Sequence, residues 1–385
     1  MSVFGLGITS CHRRFLSYYI GIEKVGKIFS GQSALCLSTK NGCGSSGSTG
    51  KIRWFWMPTG VGLALLTIIQ FRHVLLREKR VYSPVETELW NNSGWHWHVN
   101  FIRFLPTRLL SRFWGVVHDM ELPKFLRLPM IHLWIWIFDC RLDEAEEPDP
   151  SKYPNLGAFF TRKLKHGCRT IDDKCDLVSP VDGQVLHFGQ VCNGKLEQVK
   201  GVPYTIESFF GSRSILPCDE ELNQREKLLY QCVFYLGPGD YHHFHSPAEW
   251  QVQSRLHFPG SLVSVSPRAL CRHREVFCTN ERVSLFGRWK HGFITMTAVG
   301  AYNVGSINLH FDRTLMTNCK KRKNGNFHEK KFSGNTNLKR GDEVGWFAMG
   351  SAIVMIFEAP RDFEFTVKLG QKIKMGQSLG MNKTC

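Results

Sequence analysis

The stretch Gly345-Trp-Phe-Ala-Met-Gly-Ser-Ala-Ile-Val-Met-Ile-Phe357 decides how the rest of the chain is read. Its second half opens the run Ala352 to Glu358, which is strongly apolar, β-branched and of strand length, bounded by a Gly-Ser pair. Gly-Ser pairs are common in this chain, beginning also at Gly44, Gly47, Gly211, Gly260 and Gly305, so the dipeptide decides nothing alone. A glycine does allow a strained backbone, and strain in the Gly350–Ser351 peptide favours attack by the serine on its own amide.

Working outward, similar short runs recur between Gly, Pro and Asn: Leu177–Ser179, Gln184–Phe188, Gln231–Leu236, Phe293–Val299, Ser306–Phe311 and Glu364–Val367. Many short strands with turn signals predict a β-rich domain with few helices. Leu338-Lys-Arg-Gly-Asp-Glu-Val-Gly and Ile373-Lys-Met-Gly-Gln-Ser-Leu-Gly echo each other as strand, glycine turn, strand. That grammar suits a compact sandwich of small sheets, as in lipoyl and biotinyl carrier domains. The basic stretch from Lys320 to Lys339 shows no periodicity and reads as a solvated loop. Pro148, Pro150 and Pro154 among acids read as a linker, followed by a short helix from Leu156 to Leu164.

Two further segments carry chemistry. Leu177-Val-Ser-Pro-Val-Asp-Gly-Gln-Val185 is a strand running into a turn that presents Asp182; a lone Asp-Gly is most often only a turn former. Leu236-Gly-Pro-Gly-Asp-Tyr-His-His-Phe-His-Ser-Pro247 gathers three imidazoles, the side chains best suited to act as bases near neutral pH. In extended chain His243 and His245 share one face and His242 takes the other, whereas a turn brings His242 and His245 together. Zinc is a rival use of the histidines, but no companion pattern of acids or cysteines accompanies them. Asp182, His245 and Ser351 supply the parts of a carboxylate–imidazole–hydroxyl relay. A serine hydrolase remains open at this point, although no Gly-x-Ser-x-Gly elbow surrounds the serine. A lipoyl-like carrier also remains open, although no displayed Lys sits in a tight hairpin.

The chain has 385 residues, 43% hydrophobic and 21% charged, with a formal net charge of +16. That charge calls for a polyanionic partner, and with no nucleic-acid module in the sequence a membrane surface is favoured over nucleic acid. Its 13 cysteines are scattered, without Cys-x-x-Cys spacing, which argues against a disulfide framework or a structural zinc site. Residues 1–50 are basic, rich in Ser and Gly and almost free of acids, as in a mitochondrial transit peptide. Within residues 51–72, the run from Trp54 to Phe71 has no charge, and a span needs roughly 20 apolar residues. Aromatics at its entry and Arg72, Arg77, Lys79 and Arg80 beyond it suit the two interfaces of a transmembrane helix. Residues 81–150 are dense in Trp and Phe at helical spacing with arginines between them, a pattern for membrane-associated amphipathic helices, with packing into the protein's own core as the alternative. Leu133–Phe138 is too short to span.

With these pieces in order, the chain resembles the phosphatidylserine decarboxylases. The resemblance is carried by Phe159-Phe-Thr-Arg-Lys-Leu, Ser-Pro-Val-Asp182-Gly, Gly-Asp-Tyr-His242-His-Phe-His245-Ser-Pro, Phe258-Pro-Gly-Ser-Leu-Val-Ser-Val, Ala301-Tyr-Asn-Val-Gly-Ser-Ile and Met349-Gly-Ser351. It covers roughly residues 150–380, and the N-terminal arrangement is similar to the family's mitochondrial branch. The resemblance implies an α+β fold in which a β-rich catalytic domain, residues 151–385, follows the transmembrane helix and the amphipathic helices. It implies a proenzyme whose Ser351 attacks the Gly350 carbonyl, is activated by Asp182 and His245, and becomes a covalent pyruvoyl group that forms a Schiff base with phosphatidylserine. His242 is then placed at the substrate, and no metal takes part. Carbon dioxide and phosphatidylethanolamine are the implied products. The implied partners are the lipid in its membrane, the β and α chains of one precursor and a second copy in a homodimer, at the inner mitochondrial membrane facing the intermembrane space. The family's Leu-Gly-Ser-Thr reads Met-Gly-Ser-Ala here, so Ala352 removes a hydroxyl beside the cleavage point. His243 stands where the family usually has a basic or apolar residue, and the family's Arg-Pro at Arg169 is Arg-Thr.

Overall fold

In the computed structural model of the chain the described residues are 118–211, 226–301, 306–318, 327–348 and 351–383, with isolated helical positions at 69, 72, 115 and 116. The strands are, in order, β1 (Leu177–Val178), β2 (Gly183–Gln190), β3 (Lys195–Val199), β4 (Val202–Thr205), β5 (Lys227–Leu236), β6 (His243–His245), β7 (Trp250–Phe258) and β8 (Arg282–Trp289). They continue with β9 (Gly292–Gly300), β10 (Ile307–Leu309), β11 (His328–Leu338), β12 (Glu343–Phe347), β13 (Ser351–Pro360), β14 (Phe363–Phe365), β15 (Lys372–Ile373) and β16 (Ser378–Asn382). Between them lie the helices α1 (Lys124–Phe138), α2 (Leu156–Phe160), α3 (Ile206–Phe210), α4 (Pro267–Arg272) and α5 (Val276–Thr279).

Eight strands form one antiparallel sheet in the order β11-β7-β8-β9-β13-β5-β2-β15. Antiparallel sheets often leave one face wet. Here both faces are covered, which is why β13 is a continuous apolar run rather than an alternating one. Ile353, Met355 and Phe357 enter one core, with Phe234, Leu285 and Met296. Ala352, Val354 and Ile356 enter the other, with Val233, Phe286 and Val299. The first core is capped by two small sheets, β10-β12-β6 and β1-β16-β14, through Leu309, Phe347, Phe244, Leu177 and Leu379. The second is capped by the β3-β4 ribbon and by helices α3 to α5, through Leu196, Phe209, Leu270 and Phe277. The short helices are started by their caps: the Asn155 side chain accepts from the Ala158 N–H at 2.7 Å, and Thr205 does the same for Ser208 at 3.1 Å.

The expected strands all appear, but two expectations change. Residues 328–338, within the stretch expected to be a loop, form the edge strand β11 against β7. Its charges hide the strand because an edge strand is largely solvated, and lysines there discourage pairing with other chains. The proline-marked segment is not a free linker either: 150–152 form a short 3-10 turn, and Tyr153, Leu156 and Phe159 pack with Ile131 of α1. The two echoing segments do contain glycine turns, with Gly341 and Gly376 at φ 84° and 86°. Their flanking strands nevertheless part into different sheets, β11 and β15 into the large one, β12 and β16 into the small ones.

No helix among the described residues is long and apolar enough to cross a membrane. The expected transit segment 1–50 lies outside the described residues, as do the expected span, apart from residues 69 and 72, and the aromatic region up to residue 114. None of the described cysteines is in a disulfide.

The small sheet β10-β12-β6 depends on a missing side chain. A Cβ at Gly345 would lie 2.0 Å from the Asn308 carbonyl oxygen and 2.8 Å from Phe244 Cζ, whereas one at Gly334 in β11 meets nothing within 4 Å. Gly345→Ala is therefore expected to destabilise the protein by about 1–3 kcal/mol. Gly334→Ala should stay within about 0.5 kcal/mol of wild type. Chemical-denaturation midpoints of the two variants check this, and equal midpoints would contradict the packing described here.

Candidate active site

Ser351 is the first residue of β13 and is hydrogen-bonded into the sheet on both sides, opposite Leu236 of β5 and Gly300 of β9. Its side chain is fully buried, and its Oγ has no hydrogen-bond partner among the described residues. Leaving a buried hydroxyl unpaired costs about 1–3 kcal/mol. Thr295, in the middle of β9, has a similarly unpaired hydroxyl, so the orphan state alone does not mark a site. What distinguishes Ser351 is its place at the end of a central strand, directly after Gly350. Gly350 itself lies outside the described residues.

The same end of the sheet carries the other candidates. β5 ends at Leu236 and feeds the turn Gly237–Asp240, in which the Gly237 N–H donates to Asp240 Oδ2 at 2.7 Å. Gly239 must be glycine, since a Cβ would come within 2.2 Å of the Phe138 carbonyl oxygen at the end of α1. Arg162 closes over this turn, donating to the Gly239 oxygen at 2.9 Å. The chain then extends into β6, so His243 and His245 share one face while Phe244 fills the core on the other. The extended alternative is the one realised, and His242 does not turn toward His245's face.

His242 donates from Nδ1 to the Asp240 oxygen at 2.8 Å and lies 4.0 Å, centroid to centroid, from the Phe160 ring. Its Nε2 is buried without a partner, and burial lowers the ring's pKa to about 3, so it is neutral. His245 donates from Nδ1 to the Gly341 carbonyl at 2.9 Å, which leaves Nε2 as the lone pair, in hydrogen-bond reach of the Tyr241 hydroxyl at 3.1 Å. Burial lowers its pKa, partly offset by that Gly341 bond and by the negative charges of Glu343 and Asp182.

Asp182 sits at the start of β2, next to Gly183, whose missing side chain lets it approach Tyr235 of β5. Arg169 grips both carboxylate oxygens, from Nε at 3.0 Å and from Nη2, and the Met375 N–H adds a bond at 2.9 Å. The carboxylate and the His245 ring therefore share a neighbourhood, with the His245 N–H bonded to the Pro180 oxygen, but no hydrogen bond joins them. Gly341 orients the ring instead. Nor does a hydrogen bond join His245 to Ser351. Arg169 and Lys374 also reach Glu144, at 2.6 and 2.7 Å. This network borders a cavity of about 290 Å³ that Asp182, Tyr241, Arg141, Lys372 and Lys374 help to line. Nothing in the local sequence patterns of Arg169, Tyr241 and Gly341 marks them as partners of the site.

Comparison with known proteins bears on all of this. The family model for phosphatidylserine decarboxylase matches residues 156–381. A protein of Pongo abelii named phosphatidylserine decarboxylase proenzyme, mitochondrial, is 49% identical over 74% of this chain and 74% of its own length. The Caenorhabditis elegans protein of the same name is 42% identical over 78% of each. A Schizosaccharomyces pombe protein named phosphatidylserine decarboxylase proenzyme 1, mitochondrial, is 36% identical over 86% of this chain and 92% of its own.

The charge network has a pH signature. Burial raises the Glu144 pKa, but hydrogen bonds from Lys374 and Arg169 outweigh it and hold the carboxyl down at about 2, against an ordinary 4.5. A depressed carboxylate stabilises the fold in full above its unfolded pKa and loses that contribution as pH falls toward the folded value. Wild type is thus expected to lose more stability than Glu144→Gln between pH 4.5 and 2. Denaturation midpoints measured across that range test this, and parallel curves would count against the network.

Proposed function

The chain belongs to the phosphatidylserine decarboxylase family, and on that premise we propose that Ser351 is the residue from which it makes its own catalytic group. Its function is the decarboxylation of phosphatidylserine to phosphatidylethanolamine, as a lyase made in proenzyme form. The observation that carries the assignment to Ser351 is its enclosed, unpartnered hydroxyl at the head of β13, directly after a glycine.

Ser351 Oγ attacks the Gly350 carbonyl, its proton passing to a base, and the peptide C–N bond is exchanged for an ester. Loss of the Ser351 α-proton then breaks the Cβ–O bond, leaving a carboxylate on Gly350 and dehydroalanine at 351. Water replaces the nitrogen of that residue, which departs as ammonia, and a pyruvoyl group remains. His245 is the base, since its Nε2 carries the lone pair and burial keeps the ring neutral. Glu343 and, more weakly, Asp182 act on it through charge rather than through a hydrogen bond, favouring the cationic ring that forms on proton uptake. His242 attends the substrate: its Nε2 is a second enclosed atom with no partner. The fully buried, unpartnered Ser351 hydroxyl fits a side chain that is consumed in making the pyruvoyl group. When present, the pyruvoyl group supplies the electron sink for loss of carbon dioxide.

The surroundings suit a lipid. Arg141, Lys372 and Lys374 at the cavity beside Asp182 complement a headgroup with net negative charge. On α1, Phe125, Leu128 and Trp136 are exposed at 78%, 43% and 43%, as in a helix that rests in a bilayer interface. A two-tailed lipid leaves a bilayer only at about 0.8 kcal/mol per methylene, so such contact brings the enzyme to its substrate. A mitochondrial setting accords with the relatives' names, and we place the catalytic domain at the inner membrane, toward the intermembrane space.

Mass analysis under denaturing conditions tests the assignment. Wild type should yield a piece 351–385 without a free amino group, while Ser351→Ala and His245→Ala remain single chains. His242→Ala should still be cut but lose decarboxylation by about 100-fold or more. Active wild-type protein that stays one uncleaved chain would overturn the mechanism.

A further inference from the structure

His243 takes no part in the chemistry above, yet it is the most elaborately held of the three histidines. Its Nε2 donates to the Thr161 carbonyl at 3.0 Å, just past the end of α2. That bond fixes the ring's orientation and turns Nδ1 toward Glu343 Oε1. The same carboxylate oxygen lies 2.7 Å from His310 Nε2. His243 Nδ1, His310 Nε2 and Glu343 Oε1 all lie within 4.8 Å of one another. The three residues are 33 or more positions apart in sequence and come from every strand of one small sheet: His243 from β6, Glu343 from β12, and His310 just after β10.

We propose that His243, Glu343 and His310 form a binding site for a divalent cation of the zinc class. Two imidazole nitrogens and a carboxylate oxygen are a zinc donor set, while calcium and magnesium prefer all-oxygen surroundings. Ligand atoms around a tetrahedral zinc sit about 3.3 Å apart, so small side-chain rotations from the present spacing suffice. A backbone carbonyl behind a metal-binding histidine sets which nitrogen faces the ion, and Thr161 stands in that place. Access is open on one side, because His310 is 40% exposed while His243 is buried, which leaves the remaining position to water. Trp346 flanks both rings, 4.9 Å from His310 and 6.1 Å from His243. A bound ion would clamp β6, β12 and the end of β10 together. The inference is independent of the roles given to Ser351, His245 and His242.

The test uses the full-length chain in detergent, stripped with a chelator and titrated with zinc chloride, with magnesium chloride as the contrast. One equivalent of zinc per chain is expected to bind and to raise the melting temperature, with no effect of magnesium. His310→Ala and Glu343→Gln should each weaken zinc binding by more than about 100-fold, since even an indirect partner of a ligand is worth 10–100-fold. Cobalt(II) gives a second readout: a tetrahedral visible absorption band in wild type that is missing in His310→Ala, with unchanged far-ultraviolet circular dichroism. His310 is partly exposed, so its loss should leave the fold intact. If wild type takes up no zinc, or His310→Ala binds it as tightly, the cluster is an ion pair only and the proposal fails.

Discussion

Everything at the active end of this protein hangs on the pairing of β13 along both of its edges. Ser351 to Pro360 lie against β5, and Ser351 to Phe357 also lie against β9, so the strand's start can neither slide nor fray without breaking two ladders. A one-residue slip would carry Ile353 and Phe357 into the opposite core and Ser351 with them. The serine is thus held in one place by its backbone ladders and the burial of its neighbours, not by any bond of its side chain. That arrangement suits a residue whose side chain must remain free to react.

The same pairing bears on a chain cut before Ser351. The segment from 351 onward supplies β13 to the middle of the large sheet, β15 to its edge beside β2, and β16 to the middle of the sheet with β1 and β14. Polar links add to these ladders. The Met375 N–H binds Asp182, Lys374 binds Glu144, and the Asn382 N–H binds Asp176 at 3.1 Å. The segments before and after Ser351 share their cores, so a chain cut there would remain one folded body. Asp182 is then more than a neighbour of His245: it joins the N-terminal side of the site to the C-terminal segment through Arg169 and Met375.

Much of this was legible in the sequence wherever burial imposed a pattern. The apolar run of β13, the Asp-Gly turn before β2 and the His-rich segment after β5 all stand where the glycine punctuation and periodicity placed them. β7 carries no strand pattern in the sequence. A bulge between Val252 and Ser254 sends Trp250 and Val252 to one core but Leu256 and Phe258 to the other, which scrambles the alternation. β11 was hidden by the charges of an exposed edge. The site's wiring was out of reach for a different reason. That Gly341 rather than Asp182 orients His245, or that Glu343 and His310 meet His243, depends on which strands become neighbours. No local signal records that.

Ala352, where the resemblance implies a threonine beside the proposed reactive serine, also looks different once the strand is seen. In sequence, it removes a hydroxyl from the position adjoining the cleavage point. In the fold, successive strand residues point to opposite faces. Ser351 and Ala352 therefore face different cores, and Ala352 is fully buried among Val233, Val299 and Val354. A hydroxyl there would not lie beside Ser351 Oγ, and without an acceptor of its own it would cost about 1–3 kcal/mol. An alanine at this place keeps the apolar face of β13 continuous, and the strand's grip on Ser351 depends on that continuity.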